Sequence, residues 1–444
     1  MPTFDLLLKG GTVVNHDGEG LRDVGVKDGR IAAVGDLARA AAGETIDCTG
    51  LHVLPGVIDA QVHFREPGPT HKEDLETGGR AAVLGGVCTV FEMPNTNPLT
   101  TDEAAIADKL ARARGRMQCD HAFYVGGTHQ NAKHLGELER LPGVCGVKVF
   151  MGASTGDLLI PDDEGVRDVL RHGSRRATFH SEDEYILRAN KHLAREGDWT
   201  SHPEVRSVES AVSSTKRLLA LARETGRRIH VLHVTTAEEV ALLAAAKDIA
   251  TCEILPQHLT LAAPDCYRDL KGLAQMNPPI RDARHREGLW AGVAQGVFDV
   301  CGSDHAPHTK EEKAKPYPAS PSGMPGVQTI LPLLLHHASE GRLTLMRVVD
   351  LLCHGPQRVF GIAGKGRLAV GWDADFSIVD LKRRHTITHA EQASRVGWTP
   401  FDGLSVTGWP IGTIVRGRRV MWEGEIAGPA DGAPVRFMET LVQA

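Results

Sequence analysis

Eight short runs rich in β-branched and aromatic residues pass through the middle of the chain, each followed by an Ala-, Leu-, Glu- and Arg-rich stretch of helical length. They fall at 56–63, 87–95, 121–126, 146–152, 177–182, 229–235, 251–258 and 298–308. Strands that alternate with helices pair in parallel, and eight such units predict an α/β fold, a closed (β/α)8 barrel of the TIM type. Such a barrel takes ~250 residues, so a chain of 444 has length to spare. The surplus lies at the two ends, where the texture changes. Short alternating segments with tight turns occupy 5–9, 12–14, 24–27 and 30–34, and Asp28-Gly29 marks a hairpin. The same texture returns at 375–381, 386–388, 412–416 and 419–424. The ends are expected to meet as one small discontinuous β-sandwich, residues 1–54 with 370–444, beside a barrel domain of residues 55–369.

Charge narrows the partners. Fifty basic and 56 acidic residues give a net charge of −6, with no dense Lys/Arg run, which argues against nucleic acid or an anionic membrane. The start MPTFDLLLKG lacks the basic and apolar regions of a signal peptide, and no apolar stretch approaches the ~18 residues of a membrane span. Eight cysteines, none in a C-x-x-C pair, indicate neither a disulfide framework nor a zinc knuckle. A cytoplasmic location is expected. The unusual count is 22 histidines, a hint of metal or acid–base chemistry.

In barrels of this kind the chemistry sits at the C-terminal ends of the strands. The first run ends in Gln61, His63 and Arg65, which share one face of an extended strand. Lys148 is the single cation in an apolar run, 144–151. A buried unpaired ammonium is costly, so the amine should be neutral, paired or modified. A neutral lysine amine can take up CO2 to form a carbamate able to bridge two metal ions. The plainer reading is a lysine that snorkels to the strand end. His180 ends the fifth run. His230 and His233 stand three apart, which predicts opposite strand faces, and His233, nearer the C-terminal end, is taken as the inward one. His258 closes the seventh run, with a structural hydrogen bond as its expected role, and Asp304 in the eighth offers both a ligand and a general base. Each residue alone is as well explained by a local hydrogen bond. Together, His63, Lys148, His180, His233 and Asp304 fall at the ends of strands 1, 4, 5, 6 and 8 of one barrel. Nitrogen and carboxylate donors without thiolate suit Zn2+ in an open site. Such an ion lowers the pKa of a bound water toward ~7 and polarises a carbonyl, as hydrolysis of an amide requires.

The motifs HFREPG at 63–68, FEMPNTNP at 91–98, GVKVFMG at 146–152, HSED at 180–183, HVLHVTT at 230–236, MNPPIRD at 276–282 and GSDHAPHT at 302–309 span nearly the whole chain. With them the chain resembles the amidohydrolase superfamily and, within it, the dihydroorotases. Hydantoinases and allantoinases share the lysine and aspartate motifs but typically lack the combination of Arg65, Asn95 and His308. The resemblance implies His63, carboxylated Lys148, His180, His233 and Asp304 as metal ligands, with Asp304 also the catalytic base and acid. It implies Arg65, Asn95 and His308 as holders of a substrate carboxylate and Asn277 as a contact to the ring. A planar guanidinium fork fits a carboxylate on physical grounds as well. The implied reaction is reversible hydrolysis of the cyclic amide of L-dihydroorotate to N-carbamoyl-L-aspartate, a step of pyrimidine synthesis. A homodimer or larger assembly is also implied.

Three positions depart from the family pattern: Gln61 replaces the first histidine of His-x-His, Gln257 the first of Pro-His-His, and Gln328 a glutamate. Gln61 matters most, since an amide oxygen is a much poorer zinc ligand than imidazole. One firm zinc site, on Lys148, His180 and His233, is expected, with the second weak or absent. Two other readings remain: a hydrolase of hydantoin or dihydropyrimidine rings, and a catalytically silent homologue kept as a scaffold. The segments 157–159 and 310–326 are candidates for a covering loop.

Overall fold

Strands buried on both faces need no hydrophobic alternation, and the barrel strands follow that rule. In a computed structural model that describes residues 3–154 and 158–441, Val57–Val62, Val87–Glu92, Asp120–Gly126, Val144–Phe150, Ala177–His180 and Ile229–Val231 are buried at every position. Ala250–Ile254 and Val300–Cys301 complete a single sheet of eight parallel strands in sequential order. A bridge from Val62 to His305 joins the last segment to the first, and His63 N donates to His305 O at 2.7 Å. The (β/α)8 barrel expected from the sequence is therefore present, with its strands numbered 1 to 8 below.

Two strands stop earlier than their sequence runs. Strand 7 ends at Ile254, and His258 lies on the short helix Pro256–Thr260, begun by proline at its first turn, rather than on the strand. Strand 8 is reduced to two residues, because Asp59 takes the backbone N–H of Ser303 and the polar loop begins there.

Alternate residues sort into two cores. Val57, Val90, Phe123, Val147, Phe179 and Ile254 face the outer helices. Ile58, Ala60, Phe91, Tyr124, Cys145 and Leu232 fill the barrel, where Phe360, Val435 and Phe437 from the C-terminal part pack against them. That plug closes the floor and leaves the opposite end polar.

The N-terminal strands pair through an Asp28-Gly29 turn with φ of +50° and +72°, matching a type I′ hairpin. Four strands (Arg30–Gly35, Asp23–Lys27, Phe4–Lys9, Ala42–Asp47) form one sheet, and seven drawn from both ends form another. Leu6, Val24, Ile31 and Ile46 of the first meet Val13, Val53, Phe376 and Ile414 of the second in a shared core. The segments 375–381 and 386–388 merge into one bulged strand, Phe376–Thr386. Residues 433–437 leave the sheets and run against the barrel, where Ala433 O accepts from His121 N. Among the described residues no helix is long and apolar enough to cross a membrane.

Candidate active site

At the polar end of the barrel a cleft is lined by Gln61, His63, Arg65, Asn95, Lys148, His180, His233, Asn277 and Asp304, with Phe150, Ser154, Ala306, Ser322 and Gly323. Nine of the residues singled out in the sequence thus converge, although they lie up to 243 positions apart. Backbone geometry helps to aim them. Arg65, His233 and Asp304 have φ of +62°, +36° and +44°, a left-handed conformation unfavourable for non-glycine residues. These kinks lie two or three residues beyond the strand ends, where the side chains line the mouth.

The kink at His233 corrects the face assignment made from spacing. Strand 6 ends at Val231, so period-two alternation does not carry through residue 233. His230 also points inward, near the floor, with its ring 5.5 Å from that of Phe360 and its Nδ1 2.8 Å from Thr251 Oγ1.

His63 Nδ1 donates to Asn95 Oδ1 at 2.7 Å, and its Nε2 lies 3.2 Å from Asp304 Oδ1. Gln61 Nε2 donates to the same carboxylate oxygen at 3.1 Å, while Gln61 Oε1 is buried without a hydrogen-bond partner. Across the cleft, His180 Nε2 donates to Glu182 Oε2 at 2.7 Å, and Arg206 pairs with Glu182 from the other side. The arginine holds the Glu182 carboxyl well below the usual range against the cost of burial. This leaves His180 Nδ1 for a ligand, an arrangement typical of metal-binding histidines. The rings of His180 and His233 meet edge to face at 4.7 Å.

Lys148 stands between these two halves. Its Nζ is buried with no hydrogen-bond partner and lies 4.5 Å over the Phe150 ring. Burial drives its pKa down to about 7, so much of the amine is neutral near pH 7. Below it, burial pushes the Asp59 carboxyl up to about 7 and the Glu253 carboxyl well above its ordinary value.

The fit to a divalent ion follows from these donors. Among the described residues no group of three His, Cys, Asp or Glu is gathered closely enough to hold a metal unaided. The orphaned amine of Lys148 supplies the missing ligand if it is carboxylated, beside His180, His233 and Asp304. On the Gln61 side an amide nitrogen, which cannot ligate, faces Asp304.

Several side chains sit elsewhere than the sequence suggests. His308 lies behind Arg65, 3.4 Å from its Nη2, with its Nδ1 3.0 Å from Lys72 Nζ. Gln257 Nε2 donates to Ser303 O at 2.6 Å, and Gln328 bonds Glu391 O and Ala393 N, so neither lines the cleft. His258 bonds Pro278 O at 3.3 Å, the structural role expected of it. Of the covering-loop candidates, Asp157 lies outside the described residues. In 310–326, Lys313 Nζ is clamped by the carbonyls of Gln275, Pro321 and Gly323, which fixes Ser322 and Gly323 at the cleft wall. Sequence reasoning missed Glu182 and Arg206 as orienters of His180, and Lys72. Only Glu182 carried a signal, its position two residues beyond a strand-end histidine.

A parallel barrel with histidines, a buried lysine and an aspartate at its polar end defines a class of hydrolase scaffold. Residues 52–420 match the amidohydrolase family, and the chain belongs to it. It is 39% identical over 434 residues to a dihydroorotase of Halobacterium salinarum, covering 94% of this chain and 99% of that one. It is also 37% identical over 447 residues to an allantoinase of Rubrobacter xylanophilus, covering 97% of both. Among solved structures, an L-hydantoinase (dihydropyrimidinase) from Arthrobacter aurescens superposes with a TM-score of 0.92 at 32% identity, covering 98% of this chain and 100% of that one.

Proposed function

We propose that the chain hydrolyses a cyclic amide that carries a carboxylate, with L-dihydroorotate as the substrate and N-carbamoyl-L-aspartate as the product. The observation that carries this reading is Arg65, which has a left-handed backbone conformation and lines the same cleft as Lys148 and Asp304. An uncharged ring offers a buried guanidinium no counter-charge, whereas a carboxylate supplies one and accepts two of its N–H groups. Asn277 Oδ1, buried and without a partner, is available to a ring N–H.

His63, carboxylated Lys148, His180, His233 and Asp304 would hold the ion, with one firm Zn2+ position and a weak or vacant one beside Gln61. When bound, the ion supplies the Lewis acidity that activates water and polarises the amide carbonyl. The residues of the chain do the rest. Arg65 fixes the carboxylate and with it the plane of the ring, and His308, neutral because burial lowers its pKa well below the ordinary value, backs Arg65 without competing charge. Asp304 accepts the proton of the attacking water and delivers it to the ring nitrogen as the C–N bond breaks. Gln61 Nε2 keeps its Oδ1 in place between the two transfers. The small-molecule substrate is the partner read from this site.

A second reading, hydrolysis of an uncharged ring, draws on the similarity to the allantoinase and the hydantoinase. A panel of L-dihydroorotate, dihydrouracil, hydantoin and allantoin separates the two. The proposal expects kcat/KM for dihydroorotate to exceed the others by at least a hundredfold, the worth of a charge-assisted bidentate contact of about 3 kcal/mol. A preference for any uncharged ring would refute it.

A further inference from the structure

At the floor of the barrel, opposite the cleft, lies a second pocket of about 90 Å3, lined among others by Arg175, Arg176, Arg228, Arg358, Phe360 and Glu439. Its position follows from the strands. Arg175 and Arg176 immediately precede strand 5 and Arg228 immediately precedes strand 6, so their side chains gather at the N-terminal end of the barrel.

Arg175 is 5% exposed. Its Nη1 donates to Val144 O at 2.6 Å, but Nε and Nη2 are buried with no hydrogen-bond partner. The guanidinium is held in place over the Phe437 ring at 4.8 Å. Glu439, 47% exposed, comes no nearer than 3.5 Å to Nε, too far for a good hydrogen bond. Arg176 spends one nitrogen on Ile229 O at 2.9 Å, and neither it nor Arg228 has a carboxylate within 4 Å among the described residues. Arg358 is balanced by Asp350 at 2.7 Å. Burial and the neighbouring Arg228 lower the pKa of Arg176 to about 10. On a chain of net charge −6, three guanidinium groups therefore share one open pocket with a single half-exposed carboxylate. Like charges repel, and two buried donor nitrogens of Arg175 are left unmet, a costly state without a ligand.

We propose that this floor pocket binds a small phosphate-type polyanion, whose oxygens accept from Arg175 Nε and Nη2 and pair with Arg176 and Arg228. Planar guanidinium forks match phosphate oxygens in pairs, and several converging forks favour a di- or triphosphate over a monoanion. Glu439 sits where one oxygen would lie and swings outward when it is displaced. The proposal is independent of the reaction assigned to the cleft.

Calorimetric titration with inorganic pyrophosphate at constant ionic strength tests it. The expected result is saturable binding of one pyrophosphate per chain, at least tenfold weaker in Arg228→Ala and in Arg176→Gln, and tighter in Glu439→Gln. Arg228 is exposed and unpaired among the described residues, so its removal leaves packing untouched, and far-UV circular dichroism verifies the fold. Binding must persist in Arg65→Met, which removes the cleft arginine. Absence of saturable heat, binding unaltered by both floor variants, loss in Arg65→Met, or equal affinity for succinate would each overturn the proposal.

Discussion

Gln61 shows how a single side chain sets what a site can hold. Its amide nitrogen donates to Asp304 Oδ1 at 3.1 Å, so the place where an imidazole lone pair would face an ion is taken by an N–H. Gln61→His should therefore raise bound zinc per chain from about one toward two, measured by plasma emission on dialysed protein. Unchanged stoichiometry would mean that the Gln61–Asp304 contact is not what limits occupancy. The presence of this residue and of Lys148 was plain in the sequence, because a lone cation in an apolar strand and an altered motif are local signals. The second layer was not. Lys72 reaches His308 from 236 positions away, and Arg206 reaches Glu182 from a loop, contacts that no periodicity encodes.

Among the elements, the strand starts were legible and the strand ends were not. The runs continue in the sequence past the strand ends, and the left-handed residues just beyond them, His233 and Asp304, have a φ that no propensity foretells. The same kink defeated the face rule for His230 and His233. The floor plug was also invisible in the sequence, since Phe437 lies beyond the last alternating segment, 419–424, in a stretch assigned as a whole to the sandwich. It is 2% exposed and meets Phe91 at 5.9 Å between ring centres. Phe437→Ala should cost about 3–5 kcal/mol, the usual range for a buried phenylalanine, seen as a lower urea midpoint at unchanged m-value. A midpoint equal to that of the parent would show that the plug contributes no stability.

For the molecule as a whole, buried neutral histidines weaken the fold in acid. Burial lowers the pKa of His121 and of His202 to about 4 from 6.5, and both lie outside the proposed ligand set. Their folded pKa is below the unfolded one, so the unfolded chain binds protons first. Their contribution is full above about pH 6.5 and falls as the pH drops toward 4, by up to about 3 kcal/mol for each group, while the raised carboxyls of Asp59 and Glu253 act in the opposite sense. The urea midpoint of the parent relative to that of His202→Gln, whose amide can keep the bond to Met276 O, should fall between pH 7 and 4. A flat profile would contradict this. The barrel and sandwich were legible from the alternation of runs and from the matching texture of the two ends, both features of the whole chain rather than of any contact.

The most direct test of the account is hydrolysis of L-dihydroorotate by zinc- and bicarbonate-reconstituted protein beside its Asp304→Asn variant, with N-carbamoyl-L-aspartate as the readout. Turnover by the parent is expected, with a loss of at least a thousandfold in a folded, zinc-loaded variant. Equal rates in the two proteins, or no turnover by the zinc-loaded parent, would contradict it and favour a silent scaffold or a different ring.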